Sequence, residues 1–202
     1  RTGIDHRRGR GVTDLAERRG FDQQVYEPAE DSRLLAETVA EHLDGATRLL
    51  DVGTGSGYVG ARLHEATAES VVGVDLNPHA CRRAVTHGID VVRGDLLTPF
   101  RTGAFDAVTF NPPYLPADPD TDGTDWLTVA VSGGESGREV IERFLDELDR
   151  VLTPEGKAFL LVSTHTGVER TVEYAGTRGF HAVALADVSF PGETLTVLKF
   201  LR

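Results

Sequence analysis

The segment that decides the fold is LLDVGTGSG, residues 49–57, in which a short apolar run leads into three closely spaced glycines. Leu49 to Val52 has the length and composition of a buried β-strand. Glycine allows sharp backbone turns and lets a ligand approach without a side chain in the way. From Tyr58 onward, apolar residues recur at helical spacing. The segment therefore predicts a strand, a ligand-binding turn and a helix, in that order.

The same alternation continues along the chain. Five apolar runs are predicted as buried strands: Leu49 to Val52, Val71 to Val74, Ile89 to Val92, Ala107 to Phe110 and Ala158 to Val162. Five segments have helical spacing: Ser32 to Leu43, Tyr58 to Ala66, Pro78 to His87, Arg138 to Leu152 and Val168 to Arg178. Strands that alternate with helices predict a parallel sheet covered on both faces.

The C-terminal part departs from this alternation. His181 to Val188 and Leu195 to Leu201 are both typical of strands, and they are joined through Pro191 and Gly192 without a helix. Two such strands predict an antiparallel hairpin. The predicted fold is therefore α/β, with a seven-strand and mostly parallel sheet, helices on both faces and a C-terminal antiparallel hairpin. The hairpin separates this Rossmann-like sheet from a plain dinucleotide-binding sheet.

Composition limits the compartment and the partners. No apolar stretch approaches the ~20 residues of a membrane span, and no secretory signal is recognisable. Cys81 is the single cysteine and cannot form an internal disulfide, so we expect a reducing cytosol. The net charge of −11, with only two lysines, favours a surface adapted to high salt over that of an ordinary acidic enzyme. An acidic surface also disfavours nucleic acid as a partner, although less so in a salt-adapted protein.

Residues 21–202 show no repeat, linker or composition break, so we expect a single domain there. Arg1 to Gly11 is rich in arginine and glycine and lacks periodicity. We expect residues 1–20 to form a flexible leader. A basic arm for nucleic acid is the alternative reading of the same segment.

Acidic residues follow three of the predicted strands. Asp51 precedes the glycines, Asp75 ends the second strand, and Asp95 with Leu96 follows the third. The carboxyl ends of parallel strands meet at one edge of the sheet, where open α/β folds bind ligands. We expect Asp75 to accept both ribose hydroxyls, and Asp95 with Leu96 to hold an adenine ring. Taken singly, Asp75 and Asp95 are also typical of caps or turns.

The glycine turn indicates which cofactor binds. A nicotinamide fingerprint has Gly or Ala three residues after Gly55, where this chain has Tyr58. Asp51 suits a cofactor with a cationic ammonium and sulfonium, and the following helix N-terminus suits its carboxylate. The sequence therefore predicts S-adenosyl-L-methionine, held near Asp51 and admitted by Gly53 and Gly55.

The most specific motif is Asn111-Pro112-Pro113-Tyr114, directly after the fourth strand. The prolines stiffen the turn and keep Asn111 out of helical geometry. The Asn111 side-chain oxygen and the Pro112 carbonyl can each accept one hydrogen of a planar NH2 group, on which Tyr114 can stack. Holding both hydrogens turns the nitrogen lone pair toward the methyl donor. We predict Asn111, Pro112 and Tyr114 as catalytic, with Asn111 also contacting the cofactor.

Several substrates remain open from the residues alone. A glutamine amide and the exocyclic amine of adenine both present a planar NH2 group, but an adenine enzyme usually carries a recognition domain or a basic channel. Lysine is a further alternative, although its ammonium must first lose a proton. A silent cofactor-binding scaffold is the alternative from another class, and the intact motif argues against it.

The chain resembles the release-factor glutamine methyltransferases of the HemK type, particularly the small archaeal and eukaryotic branch. The resemblance rests on residues 111–114, on YEPAEDS at 26–32 and on SGGESGR at 132–138. It implies methylation of the glutamine amide in the Gly-Gly-Gln motif of a class 1 peptide release factor. It also implies that the N-terminal segment covers the cofactor, which makes Ser32 a candidate cofactor contact.

The resemblance further implies a heterodimer with a small zinc-binding activator protein. In the usual strand order, the strand near Ile89 to Val92 lies at the sheet edge and would expose Ile89, Val91 and Val92. We expect the activator to add a strand there. The seven histidines lack ligand spacing, so no metal is predicted in this chain.

Two further features stay ambiguous at this level. Leu115 to Asp125 is rich in proline and aspartate and is predicted as a mobile substrate-side loop. Trp126 either anchors this loop, which is the favoured reading, or touches the substrate. Arg138 either clamps a substrate carbonyl or pairs with nearby acids.

Overall fold

The computed structural model of the protein describes residues 24–67, 69–117 and 125–202. The leader expected at residues 1–20 lies outside the described residues, as do residues 118–124 of the predicted loop. The strands of the described part are β1 (Arg48–Val52), β2 (Ser70–Asp75), β3 (Asp90–Arg93), β4 (Phe105–Phe110), β5 (Leu152–Ser163), β6 (His181–Phe190) and β7 (Glu193–Leu201). Its helices are α1 (Glu30–Ala40), α2 (Tyr58–Thr67), α3 (Pro78–Val85), α4 (Trp126–Val131), α5 (Glu139–Val151) and α6 (Val168–Thr177).

The seven strands form one sheet in the order β3-β2-β1-β4-β5-β7-β6. From β3 to β5 all neighbours are parallel, whereas β7 runs antiparallel to both β5 and β6. The predicted mostly parallel sheet and its C-terminal hairpin are therefore confirmed. The order reverses at β1, so the loops after β1 and β4 diverge at the carboxyl edge of the sheet and leave a crevice.

Helices cover both faces of the sheet, and β5 shows this most clearly. Leu160 and Val162 belong to the apolar cluster beneath α5 and α6, whereas Phe159 and Leu161 belong to the cluster beneath α1 and α2. Successive strand residues point to opposite faces, so a strand buried on both sides is apolar throughout. The continuous apolar run from Ala158 onward follows directly from this arrangement.

The differences from prediction have local causes. Leu152 opens β5 rather than ending α5. The six-residue helix α4 was not predicted, because it is too short to show a helical period and none of its residues is fully buried. Its start is set by Asp125, whose carboxylate accepts from the Thr128 amide at 2.6 Å. Asn77 caps α3 in the same way, with Pro78 at the first helical position.

Neither a membrane-crossing helix nor a metal-binding cluster is found in the part of the chain that the structure describes.

One buried polar atom of the core lacks a hydrogen-bond partner among the described residues. The Thr109 hydroxyl on β4 has no hydrogen-bond partner, and the residue is 2 % exposed. Replacing Thr109 with valine is expected to raise the free energy of unfolding by about 1 kcal/mol, because the unpaired hydroxyl is removed from the core. Urea denaturation measures this.

The matched control is Thr171→Val. Thr171 is equally buried, but its hydroxyl donates to the Gly167 carbonyl at 3.2 Å. This variant is expected to gain no stability. A loss of stability in Thr109→Val would mean that the hydroxyl has a partner after all.

Candidate active site

A cavity of about 450 Å³ opens at the carboxyl edge of β1, β2, β3 and β4. Its walls contain the turn after β1, the strand ends of β2 and β4, the N-terminal segment and α4. Ten of the residues that line the cavity belong to positions or motifs singled out in the sequence analysis: Ser32, Asp51, Gly53, Gly55, Asp75, Asp95, Leu96, Asn111, Pro113 and Tyr114. Pro112 is buried but is not among the lining residues. The structure thus brings the predicted cofactor positions and the catalytic loop to one cavity.

The three glycines of the turn have positive φ angles, but their surroundings differ. A Cβ on Gly57 would come within 2.7 Å of the Ala84 backbone, so this position allows α3 to pack closely. A Cβ on Gly55 would meet nothing closer than the Gly53 carbonyl at 3.8 Å, so the space beside it belongs to the cavity. The turn thereby leaves room for a ligand at Gly55 while fixing the helices behind it.

Asp51 at the end of β1 is the most buried acid of the cavity, at 2 % exposed. Its Oδ2 accepts from the Thr54 hydroxyl at 2.7 Å and from the Gly60 amide at 3.1 Å. Burial raises the pKa of Asp51 to about 7, and nearby Asp75 adds to the increase. A cationic ligand group would offset the burial and stabilise the ionised form.

Asp75 joins the end of β2 to the glycine turn. Its Oδ2 accepts from the Gly55 amide at 2.9 Å, and its Oδ1 accepts from the Asn77 amide at 2.8 Å. Burial raises the pKa of Asp75, and the two amides oppose this effect. Each oxygen keeps further acceptor capacity, so Asp75 can hold the turn and still accept ligand hydroxyls.

Asp95 has a partner that the sequence did not indicate. Its carboxylate lies 2.5 Å from a guanidinium nitrogen of Arg143 on α5, and Arg143 also lines the cavity. Leu96, next in the chain, has a φ of 48°, and within the described residues it is the single non-glycine with positive φ. Strain of this kind concentrates at ligand sites. The contacts of Asp95 and Leu96 with adenine remain predictions.

Asn111 presents a buried acceptor without a partner. Among the described residues its Oδ1 has no hydrogen-bond donor, whereas its Nδ2 lies 3.5 Å from the Ser32 hydroxyl oxygen. Leaving a buried acceptor unpaired costs ~1–3 kcal/mol, so such an atom requires an explanation. Because Asn111 lines the cavity, a hydrogen-bond donor of a ligand is the partner that we expect for this atom. Tyr114 is 5 % exposed and packs into the cluster beneath α1, so that it lines the cavity from a fixed position.

The segment SGGESGR, residues 132–138, buttresses the catalytic loop. The Gly133 amide donates to the Leu115 carbonyl at 2.8 Å, and Leu115 in turn donates to the Val131 carbonyl at 2.9 Å. A Cβ on Gly133 would lie 2.7 Å from the Pro113 carbonyl oxygen, and one on Gly137 would lie 2.7 Å from that of Tyr114. Only glycine permits this approach, so the segment fixes the backbone of the loop after β4 that carries Asn111.

Replacing Gly137 with alanine is therefore expected to lower turnover at least tenfold, because the new methyl group pushes the Tyr114 carbonyl and a small displacement of reacting groups is costly. Gly179→Ala is the matched control. Gly179 has a similar φ, 85° against 77°, but nothing lies within 4 Å of its Cβ position. Both variants carry the strain of alanine at a positive φ, and Gly137→Ala adds the close contact with Tyr114, so thermal unfolding should show the larger loss of stability in Gly137→Ala. Equal turnover in the two would show that the contact is irrelevant.

Sequence reasoning missed several residues of the site. The Tyr26 hydroxyl donates to Asp31 Oδ2 at 2.7 Å, and Asp31 is 3 % exposed. Glu27 pairs with Arg83 of α3 through contacts of 2.5 and 2.7 Å. These contacts hold the N-terminal segment against the cavity. The motif YEPAEDS was the available signal, but it identified only Ser32 as a contact.

The structure shows the positions of two residues whose roles the sequence left ambiguous. Arg138 donates to the Thr166 carbonyl at 3.4 Å and lies 3.7 Å from Glu142, and it does not line the cavity. Its pairing with a nearby acid is therefore observed. Trp126 is half-buried at the start of α4 and lines the cavity, whereas its anchoring of the preceding loop stays a prediction.

The donor set of the cavity fits S-adenosylmethionine. The cofactor carries an ammonium, a carboxylate, ribose hydroxyls and an adenine ring. The cavity offers buried carboxylates at Asp51 and Asp75, a glycine-lined turn at a helix N-terminus, and an apolar wall. The predicted roles of the individual residues are consistent with this set and await direct measurement.

Comparison with known proteins gives the family. A methyltransferase domain family matches residues 49–134. A putative protein N5-glutamine methyltransferase of Methanocaldococcus jannaschii is 35 % identical over 89 % of this chain and 92 % of its own length. The human methyltransferase HEMK2 is 33 % identical over 91 % of this chain and 92 % of its own length.

A solved structure supports the same assignment. The E. cuniculi Mtq2–Trm112 complex, responsible for methylation of the eRF1 translation termination factor, contains a chain with a TM-score of 0.73 and 32 % identity. The match covers 88 % of this chain and 98 % of that one. The chain described here belongs to the HemK-type family of S-adenosylmethionine-dependent protein glutamine methyltransferases.

Proposed function

We propose that the protein transfers a methyl group to the side-chain amide nitrogen of the glutamine in the Gly-Gly-Gln motif of a class 1 peptide release factor. The observation that carries this proposal is the unpaired Oδ1 of Asn111 beside the cavity. A planar NH2 group satisfies that acceptor with one hydrogen and leaves the second for the Pro112 carbonyl.

An amide is a poor nucleophile because its nitrogen lone pair is delocalised. When bound, S-adenosylmethionine supplies an electrophilic methyl group on its sulfonium. Asn111 and Pro112 hold the two hydrogens, orient the lone pair and stabilise the positive charge that develops on nitrogen. Tyr114 fixes the plane of the amide. The substrate nitrogen releases its extra proton after methylation, so the site needs no general base before attack.

The choice of a release factor rests on relatives. The solved complex acts on a termination factor, and the two relatives above are named as methyltransferases, one of them for protein N5-glutamine. A substrate used by ribosomes also fits the expected cytosolic, salt-adapted protein. Adenine and lysine remain as outcomes of the test.

A small zinc-binding activator protein is the proposed partner, added as a strand to β3. In the described sheet β3 is an edge strand that pairs with β2 alone. Val91 and Val92 are half-buried, and Val85 on neighbouring α3 is 55 % exposed. The expectation that Ile89 is exposed is wrong: it precedes β3, is 5 % exposed and packs into the core. The Mtq2–Trm112 complex of the related chain supports a heterodimer with a small partner.

The experiment is transfer of a labelled methyl group from S-adenosylmethionine at high salt. Release factor and duplex DNA are offered separately, each with and without the activator. Label on the release factor that disappears when its tip glutamine is replaced is the expected result. Label on DNA alone would support the proposed cofactor and contradict the proposed substrate. If the purified chain is soluble, monomeric and fully active alone, the proposal of an activator protein is wrong.

Replacing Asp75 with alanine is expected to weaken cofactor binding by about 10- to 100-fold, because charge-assisted hydrogen bonds to two hydroxyls are lost. Turnover at saturating cofactor should change much less. Titration calorimetry with S-adenosylhomocysteine measures the affinity. The cofactor affinity of Asp75→Asn, which retains one acceptor oxygen, should lie between the affinities of the unaltered protein and of Asp75→Ala. Unchanged affinity in Asp75→Ala would remove this residue from the ribose site.

A further inference from the structure

The unpaired acceptor of Asn111 depends on which way its amide group is turned. The oxygen and the nitrogen of an amide occupy nearly the same space, so a half-turn exchanges acceptor for donor. In the wrong orientation an NH2 group would face the substrate NH2 group, and no hydrogen bond could form. Something in the site must therefore select the orientation with Oδ1 toward the cavity.

Ser32 and Asp31 supply that selection. Asn111 Nδ2 lies 3.5 Å from the Ser32 hydroxyl oxygen, a long contact that can shorten when substrate binds. The Ser32 hydroxyl donates to Asp31 Oδ1 at 3.3 Å, and the Ser32 amide donates to the same oxygen at 2.6 Å. Because the hydroxyl proton is directed to a carboxylate, the hydroxyl lone pairs are left for Asn111, which must then present its NH2 side.

The carboxylate is itself held in place. The Tyr26 hydroxyl donates to Asp31 Oδ2 at 2.7 Å. Asp31 and Ser32 are 3 % and 6 % exposed, so bulk water does not replace these contacts. A buried polar chain of this kind favours one arrangement, because the Ser32 hydroxyl cannot donate its single proton to Asp31 and to an Asn111 oxygen at the same time.

We propose that Asp31 and Ser32 are positioning residues that fix the amide orientation of Asn111 for a substrate NH2 group. This inference rests on the proposed function. It also gives Ser32 a different role from the cofactor contact expected from the sequence. The two roles differ in what they predict: loss of a cofactor contact weakens cofactor binding, whereas loss of orientation lowers turnover at unchanged cofactor affinity.

The chain offers a direct spectroscopic test, because Asn77 and Asn111 are its only asparagines. Protein labelled with ¹⁵N-asparagine gives two pairs of side-chain NH2 signals, and Asn111→Ala identifies the pair of Asn111. Asn77 is the internal control, since its Nδ2 donates to the Gln24 carbonyl at 2.6 Å and does not contact Ser32.

Ser32→Ala is expected to shift the Asn111 pair and speed its exchange with water, while the Asn77 pair stays in place. Asp31→Ala should do the same, because the Ser32 hydroxyl loses its acceptor and its proton becomes available to Asn111 Oδ1. In both variants kcat should fall about tenfold or more, with the dissociation constant of S-adenosylhomocysteine within about threefold of the original.

Unchanged Asn111 signals in both variants would overturn the inference. So would a Ser32→Ala variant that loses cofactor affinity but keeps its kcat, because Ser32 would then be a cofactor contact. The NMR measurement needs no substrate. If release factor is not methylated at all while the signals shift as expected, the proposed substrate fails and the orientation of Asn111 by Ser32 stands.

Discussion

Replacing Asn111 with alanine is expected to reduce turnover by at least ~100-fold, while the dissociation constant of the cofactor changes by less than about threefold. The side chain offers one unpaired acceptor next to the cavity. That acceptor matters most when positive charge develops on the substrate nitrogen, and much less when the cofactor binds. Its removal therefore raises the barrier to chemistry rather than the energy of the cofactor complex.

Single-turnover transfer of a labelled methyl group measures the chemical step. Trp126 is the one tryptophan of the chain and lines the cavity, so its fluorescence reports cofactor binding in the same samples. Thr109→Val is the control, because it changes a buried side chain two residues away that no step of the mechanism uses. Equal losses of binding and turnover in Asn111→Ala would show that Asn111 holds the cofactor and does not orient the substrate.

The parts of the structure that sequence predicted are those set by local pattern. The central strands β1 and β4 lie where apolar runs occur, because a strand buried on both faces must be apolar throughout. Asp51, Asp75 and Asp95 meet at one cavity because strand ends of a parallel sheet meet at one edge. Asn111 was identified because the prolines beside it restrict the backbone in a recognisable way.

The parts that sequence did not predict depend on contacts between distant residues. Arg143 reaches Asp95 across 48 positions, and no periodicity signals such a pair. The support of the catalytic loop by Gly133 and Gly137 likewise appears only when the two backbones are seen together. Asp31 stood inside a quoted motif, yet only its burial and its contact with Ser32 give it a role.

A pH dependence of cofactor binding is the second large effect, and it follows from Asp51. Burial raises the pKa of this carboxyl from 3.8 to about 7. The folded state therefore binds the proton more tightly than the unfolded chain does. The stability that Asp51 contributes is fully present below about pH 4 and is lost as the pH rises through about 7. At neutral pH an ammonium group beside the carboxylate would offset that loss.

The affinity for S-adenosylhomocysteine is thus expected to fall about 20-fold between pH 7.5 and pH 5.5, since protons compete for Asp51 while the ligand ammonium remains charged. Asp51→Asn should bind more weakly at pH 7.5 and lose most of this dependence. Burial also raises the pKa of Asp75, so Asp75 contributes to a residual dependence in that variant. Asp44→Asn, at an exposed position, should behave like the unaltered protein. Calorimetric titration across this range decides the matter, because an unaltered pH dependence in Asp51→Asn would place the ammonium away from Asp51.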